Sequence, residues 1–387
     1  MFSRPRRLAF VAFGLAASVS IVAINPVVWG ASANPLKITN VTGQSSSLDT
    51  AQSSTPSTTR ATVMTRNTTT TVARTNGGLI TSGPSRSQCV VPYLVNAKLS
   101  SLLTALKLFD DKTHTVVTCV GAYLDSAQTW SEWIHPWITS PLYGYRAWVA
   151  QEPQVRQLTL GINLIPNNLG NIKNPLPWEL SCAAGKFNSY AAQMGTHLVH
   201  AGLGYSVIRL GPEMNGKWER DYIGDTRAEQ RLWANCFINE VTALRQVKGE
   251  HFLIDWNPNA CVEKFPFSNY YPGNAYVDIV GLDLFDRSCV APNTRYTFQQ
   301  LANEPISLAY FEKFAASKGK PMSLPEWGLS IAPLTDDPQY VNGIGKAFTS
   351  GNYAFEEYFD YQQPHPLLGA NTPLALKAFQ HWFGTPN

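Results

Sequence analysis

Two glutamates stand where apolar runs break into turns. Glu213 follows Val207-Ile208-Arg209-Leu210-Gly211-Pro212 and leads into Met214-Asn215-Gly216-Lys217-Trp218, while Glu326 sits in Pro321-Met322-Ser323-Leu324-Pro325-Glu326-Trp327-Gly328-Leu329. They are 113 residues apart, so only a fold that returns distant strand ends to one rim can bring them together. A parallel (β/α)8 barrel does this. Two carboxylates about 5 Å apart on such a rim have the geometry of retaining glycoside hydrolysis, in which one protonates the leaving oxygen and the other attacks the sugar.

The elements that must position them are legible as an alternation of short apolar runs and helical stretches, the pattern of a parallel sheet. Strands are expected over 116–123, 157–165, 205–211, 251–256, 277–285, 321–325 and 353–359, and a short eighth near Tyr143 to Val149. Helices are expected over 179–201, 227–247, 304–317, 338–350 and 374–383. Residues two apart in a strand share a face. Arg209 and Glu213 then point inward, away from Ile208 and Leu210, and Gly281, Asp283 and Phe285 share a face opposite Val280, Leu282 and Leu284. Charges inside apolar strands are costly unless paired or functional, which singles out Arg209, Glu213, Asp283 and Glu326. Trp218, Trp256 and Trp327 are candidates for stacking on sugar faces, and the segment Trp130 to Trp137 for a second platform.

The motif around Glu213 resembles the acid/base segment of glycoside hydrolase family 26, which usually reads Arg-x-x-His-Glu-Met-Asn-Gly-x-Trp; Arg209, Glu213, Met214, Asn215, Gly216 and Trp218 match, and Pro212 replaces the histidine. The run into Glu326, preceded by Gly319-Lys320-Pro321, resembles the nucleophile strand. Residues 271–285 resemble the sixth strand, with Phe285 where the family has tyrosine; 252–257 resemble the fifth and 121–123 the first. The likeness spans roughly residues 115 to 385 and implies a divergent member: a (β/α)8 TIM barrel with Glu213 as acid/base after strand 4 and Glu326 as nucleophile on strand 7. Arg209, Asn215, Trp218, Trp256, Asp283, Phe285 and Trp327 are then expected at the substrate. The implied activity is endo-acting β-glycanase hydrolysis of β-mannan, β-glucan or a related cell-wall polysaccharide or exopolysaccharide, with no cofactor. The Pro212 and Phe285 departures point to an altered substrate choice or a weakened enzyme.

Size and composition fit one such domain. The chain has 387 residues, 44% hydrophobic and 12% aromatic, with eleven tryptophans and a formal charge of only +3. Its 30 basic residues are dispersed among 27 acidic ones, so no nucleic-acid footprint is expected. Arg4, Arg6 and Arg7 precede an apolar run from Leu8 to Ile24, and Ala31-Ser32-Ala33 offers a cleavage site. The expected division is a signal peptide at 1–33, a Ser/Thr-rich flexible linker at 34–88 and the catalytic domain at 89–387. The expected product is a secreted monomer that its stalk could tether near the cell envelope; the alternative is an uncleaved membrane anchor. Six cysteines in an exported chain allow three disulfides in fifteen connectivities; order along the chain suggests Cys89 with Cys119, Cys182 with Cys236 and Cys261 with Cys289. No Cys/His spacing suggests a metal. His197 and His200 share a helical face without a third ligand and read as surface residues. A carbohydrate-binding barrel without activity and a transglycosylase remain as alternative functions.

Overall fold

A computed structural model describes residues 79–81, 83, 87–170, 174–262, 266–289, 296–330, 335–361 and 367–385. All belong to the compact unit Thr70–Asn387; the unit Met1–Thr69, with the expected signal and most of the linker, lies outside the described residues. The strands are β1 Ser87–Pro92, β2 Cys119–Tyr123, β3 Gln157–Ile162, β4 Val207–Leu210, β5 Leu253–Trp256, β6 Ile279–Gly281, β7 Leu284–Phe285, β8 Met322–Gly328 and β9 Tyr353–Asp360. The helices are α1 Leu99–Thr113, α2 Trp130–Ile134, α3 Gly144–Gln151, α4 Leu176–Ala183, α5 Asn188–His200, α6 Arg227–Leu244, α7 Phe298–Ala302, α8 Leu308–Lys318, α9 Pro338–Ser350 and α10 Pro373–Phe383.

Every strand pairing is parallel. β1 to β6 lie side by side in chain order, β6 pairs β8, β8 pairs β9, and β9 returns to β1. β6 and β7 are two pieces of one stave, both paired with β8. The result is a closed eight-stave (β/α)8 barrel, with β4 the fourth stave and β8 the seventh.

Three expectations change. Tyr143 to Val149 forms α3 rather than a strand: Gly144, Tyr145, Trp148 and Val149 are its buried positions, a helical spacing, and Gly144 lies so close to Leu99 that a Cβ would meet its Cα at 2.3 Å. The missing stave is Ser87–Pro92, at the end of the expected linker, so the segment resembling a first strand, Gly121 to Tyr123, belongs to the second. The single helix expected over 179–201 is split at Gly185, whose φ of 76° interrupts it between α4 and α5.

Alternation sorts the strand side chains into two environments. Ile208, Leu210, Ile254, Val280 and Leu324 face the helices in the main core, whereas Val207, Cys89, Cys119, Ile279 and Phe355 close the base of the barrel's interior. Above that apolar base the interior turns polar, with Thr159, Arg209, Asp255, Ser323 and Glu357 all buried. Thr159 Oγ1 bonds both carboxylate oxygens of Glu357, at 2.6 and 2.9 Å, and Ser323 Oγ donates to Asp255 at 2.6 Å. The three disulfides form as expected: Cys89–Cys119 between register partners of β1 and β2, Cys182–Cys236 between α4 and α6, and Cys261–Cys289 between rim loops. Among the described residues no helix is long and apolar enough to cross a membrane.

Candidate active site

Glu213 reaches the rim through a tight turn rather than a strand. Its φ of 51° lies in the left-handed region that non-glycine residues rarely occupy, and costs on the order of 1–3 kcal/mol. Backbone bonds hold it there: Glu213 N donates to Asn257 O and Gly216 N to Glu213 O, both at 2.7 Å. The motif residues serve this turn. Asn215 clasps the backbone of Asn259 in both directions at 2.8 Å, and Asn259 in turn donates its side-chain N–H to Glu213 Oε1. Gly216 leaves room for the Trp218 ring, which a Cβ would meet at 2.3 Å, and Trp218 Nε1 donates to Glu213 Oε2 at 2.6 Å.

Glu326 reaches the same place from inside β8. Strict alternation would place it with Leu324 on the helix face and put Trp327 inside with Ser323. The register against β9 slips between Leu324 and Trp327, and this irregularity reverses both. A bulge of this kind re-aims a side chain. Glu326 turns inward, where Arg209 Nη2 donates to it at 2.7 Å. The same guanidinium reaches Asn257 Oδ1 from Nε at 2.8 Å, Asp283 Oδ2 at 3.1 Å and the Tyr123 hydroxyl at 3.4 Å.

One carboxylate oxygen each of Glu213, Asp283 and Glu326 lies within 4.8 Å of the others. Two of these three groups already pair with Arg209. The two other close groups of potential metal ligands among the described residues place their cysteine sulfurs in disulfides. Burial, then the charge of Glu326, pushes Glu213 up to about 7, against the opposing pull of Asn259, Trp218 and Arg209. Burial works against the charge on Arg209, but Asp283 and Glu326 outweigh it and hold the proton firmly. Asp283 is raised by burial and by Glu326 despite Arg209.

The two glutamates face a cavity of about 250 Å³ lined by Tyr123, Asp125, Asn163, Pro212, Glu219 and Tyr361 among others. Pro212 offers it ring carbons and no hydrogen bond. Trp218 stands at the rim, 53% exposed.

Several expected substrate contacts are placed elsewhere. Trp256 shares a face with Ile254 and is enclosed by Phe267, Tyr270, Tyr271 and Phe314 on the helix side. Trp327 is turned outward onto Tyr340, Phe379 and Phe383, where its indole bonds Glu356. Both are core residues. Arg209 and Asp283 are buried and paired beside Glu326, and Asn215 is buried against the Asn259 backbone. Phe285 packs edge-on against Phe359, which lines the cavity. Trp130 stacks on Tyr190 at 4.2 Å and is not a free platform. His197 bonds the Ile134 carbonyl and lies against His135. Sequence reasoning passed over Tyr123, Asn163 and Asn257, although all three share the inward parity of their strands, and over Asn259, whose role depends on tertiary contact alone.

A closed parallel barrel carrying a proton-retaining carboxyl opposite an arginine-bound one defines the class: a glycoside hydrolase. The family model of glycosyl hydrolase family 26 matches residues 197–341, a span that contains both glutamates. Over that span, the chain is similar to that family. Solved structures share the fold at low identity. A family 26 β-mannanase from Bacteroides ovatus has 14% identity and a TM-score of 0.53 over 79% of this chain and 88% of its own. The catalytic domain of a Bacillus sp. JAMB-750 endo-β-1,4-mannanase has 18% and 0.51 over 80% and 86%. The Bacillus subtilis mannanase BCman has 14% and 0.51 over 78% and 85%. No curated protein matches the chain in sequence.

Proposed function

We propose that the chain is an exported, retaining β-glycanase acting on a β-mannan-like polysaccharide, with Glu326 as nucleophile and Glu213 as acid/base. The observation that carries this is the carboxylate approach within 4.8 Å, short of the roughly 6.5–9.5 Å that leaves room for a water in inverting enzymes. The β-mannan class is supported by the mannanase neighbours together with the family match.

Glu326, bound by Arg209, attacks the anomeric carbon while Glu213 gives its proton to the departing oxygen, leaving a glycosyl ester on Glu326. Esterification removes the negative charge that raises Glu213. Its pKa then falls, and the carboxylate takes a proton from the water that cleaves the ester. Asn259 and Trp218 favour the ionised form of Glu213 and so assist this second half. The three disulfides suit an oxidising compartment, in line with an export signal at 1–33 and a linker at 34–88.

The test is a panel of β-mannan, β-glucan and β-xylan with the wild-type chain and Glu326→Ala, the first-formed anomer being read by NMR. Retention, with activity absent from the variant, is the expected result; an inverted first product or an active Glu326→Ala overturns the assignment.

A further inference from the structure

Four non-glycine residues have a positive φ among the described residues. His114 closes α1; the other three belong to the surroundings of the acid group, Glu213 at 51°, Cys261 at 64° and Cys289 at 65°. A residue held there costs on the order of 1–3 kcal/mol and persists only where its surroundings over-determine it. Cys261 and Cys289 are bonded to each other. Their bond lies two residues beyond Asn259, whose side-chain N–H donates to Glu213 Oε1.

The segment carrying Asn259 leaves the barrel after β5 and is fastened at successive residues. Asn259 exchanges hydrogen bonds with Asn215 on the Glu213 turn, Ala260 N donates to Asp283 O at 3.0 Å, and Cys261 N donates to Ile306 O at 2.8 Å. Cys289 ends the turn after β7, where Phe285 N donates to Ser288 Oγ at 2.9 Å and Ser288 N to Phe285 O at 3.0 Å. The disulfide thus ties the loop after the fifth stave to the loop after the sixth. It also differs from the other two in accessibility. Cys89, Cys119, Cys182 and Cys236 are at most 1% exposed, whereas Cys261 and Cys289 are only partly buried. Exposed disulfides are the ones open to thiol exchange.

We infer that Cys261–Cys289 is a reducible positioning element for the acid group: intact, it holds the Asn259 amide on Glu213, and its reduction releases that amide. The inference rests on Glu213 being the acid/base and adds what sets its surroundings. The reductant is a dithiol. Its thiolate attacks one cysteine sulfur, the S–S bond breaks, two electrons and two protons pass to Cys261 and Cys289, and the dithiol leaves as its own disulfide. Both cysteines can then leave the left-handed region, and the chain two residues away is freed with them. Glu213 keeps its other neighbours: the Trp218 indole, Arg209 on β4, Glu326 on β8, Asp283 between β6 and β7, and Glu219 and Asp125 on the cavity wall. Loss of Asn259, a donor that favours the ionised carboxylate, leaves Glu213 holding its proton to higher pH.

The test follows the Glu213 carboxyl by carbon NMR, its signal assigned with Glu213→Gln, in the full chain before and after dithiol treatment without denaturant. The double variant Cys261→Ser with Cys289→Ser, and Asn259→Ala, are titrated beside it. Alkylation and peptide mass mapping are expected to find Cys261 and Cys289 reduced while the other four cysteines stay paired. The Glu213 midpoint is expected to rise by roughly 0.4–1 unit in the reduced chain and in both variants, and dithiol should add nothing to Asn259→Ala. The falling limb of the β-mannan pH–rate profile should move with it. A midpoint unmoved by reduction overturns the inference, as does earlier reduction of a buried pair, or loss of the fold, since the bond would then hold the domain and not the loop. A midpoint that rises while hydrolysis survives Glu213→Gln keeps the positioning and removes the acid/base reading instead.

Discussion

Glu213 stands in the turn after β4 with a φ of 51°, whereas Glu326 stands within β8, turned inward where the register against β9 slips. The first receives hydrogen bonds from two neutral donors, Asn259 and Trp218; the second receives one from the cation Arg209. Neither environment is specified by the glutamate itself. A buried carboxyl with neutral donors keeps its proton to about 7, and the other is paired with a guanidinium. The difference between two identical side chains is thus written in the groups around them.

The sharpest way to break the contrast is to remove the charged side of it. Glu326→Ala is expected to lower kcat by roughly 10^4- to 10^6-fold, and added azide should yield a glycosyl azide of inverted configuration, because the small anion enters from the vacated face. Retained configuration would reverse the two assignments. Glu213→Gln comes next, with a loss of about 10^2- to 10^4-fold on polysaccharide. Aryl glycosides with good leaving groups should still show a burst of released phenol, since the first step then needs little acid; a burst from Glu326→Ala instead would also reverse the roles.

A smaller change sharpens the comparison. In the wild type, activity is expected to fall as pH rises through about 7, where Glu213 loses its proton. Trp218→Phe removes a donor that favours the ionised carboxylate, so this limb should move to higher pH with a loss of only a few-fold in kcat, read from a pH–rate profile. An unmoved limb would detach Trp218 from the acid group. The control is Glu179, buried on α4 with neither carboxyl oxygen bonded and pushed by burial up to about 9. Its folded pKa exceeds the unfolded one, so the folded state holds more protons between about 4.5 and 9, and the stability it contributes is lost as pH rises through that window. Glu179→Gln should leave kcat unchanged and raise Tm at pH 8 by roughly 2–4 °C, with no gain at pH 4; equal effects at both pH values would refute the linkage.

Much of this arrangement was legible in the chain. The motif, the strand parity of Arg209 and Asp283, and the spacing of the glutamates led to the barrel and the pair. Trp256 was expected at the substrate for its aromatic character, although it shares a face with the helix-facing Ile254 and is buried. Trp327 and Glu326 were less accessible because a register slip reverses alternation without leaving a sequence mark. The first strand was hidden because Ser87-Gln88-Cys89-Val90-Val91-Pro92 continues the polar linker with only a brief apolar run. Helix α3 was mistaken for a strand because a short aromatic-rich segment fits both periods until its buried positions are known.

The indole of Trp218 has one more use. It donates its N–H to Glu213 while its ring remains 53% exposed, the only tryptophan so exposed among the described residues. Its emission, isolated by an aqueous quencher, is expected to respond when the carboxyl it touches gains or loses a proton. The molecule would then carry its own optical gauge of the acid group, usable in a variant that turns nothing over, where a pH–rate profile has no signal to follow.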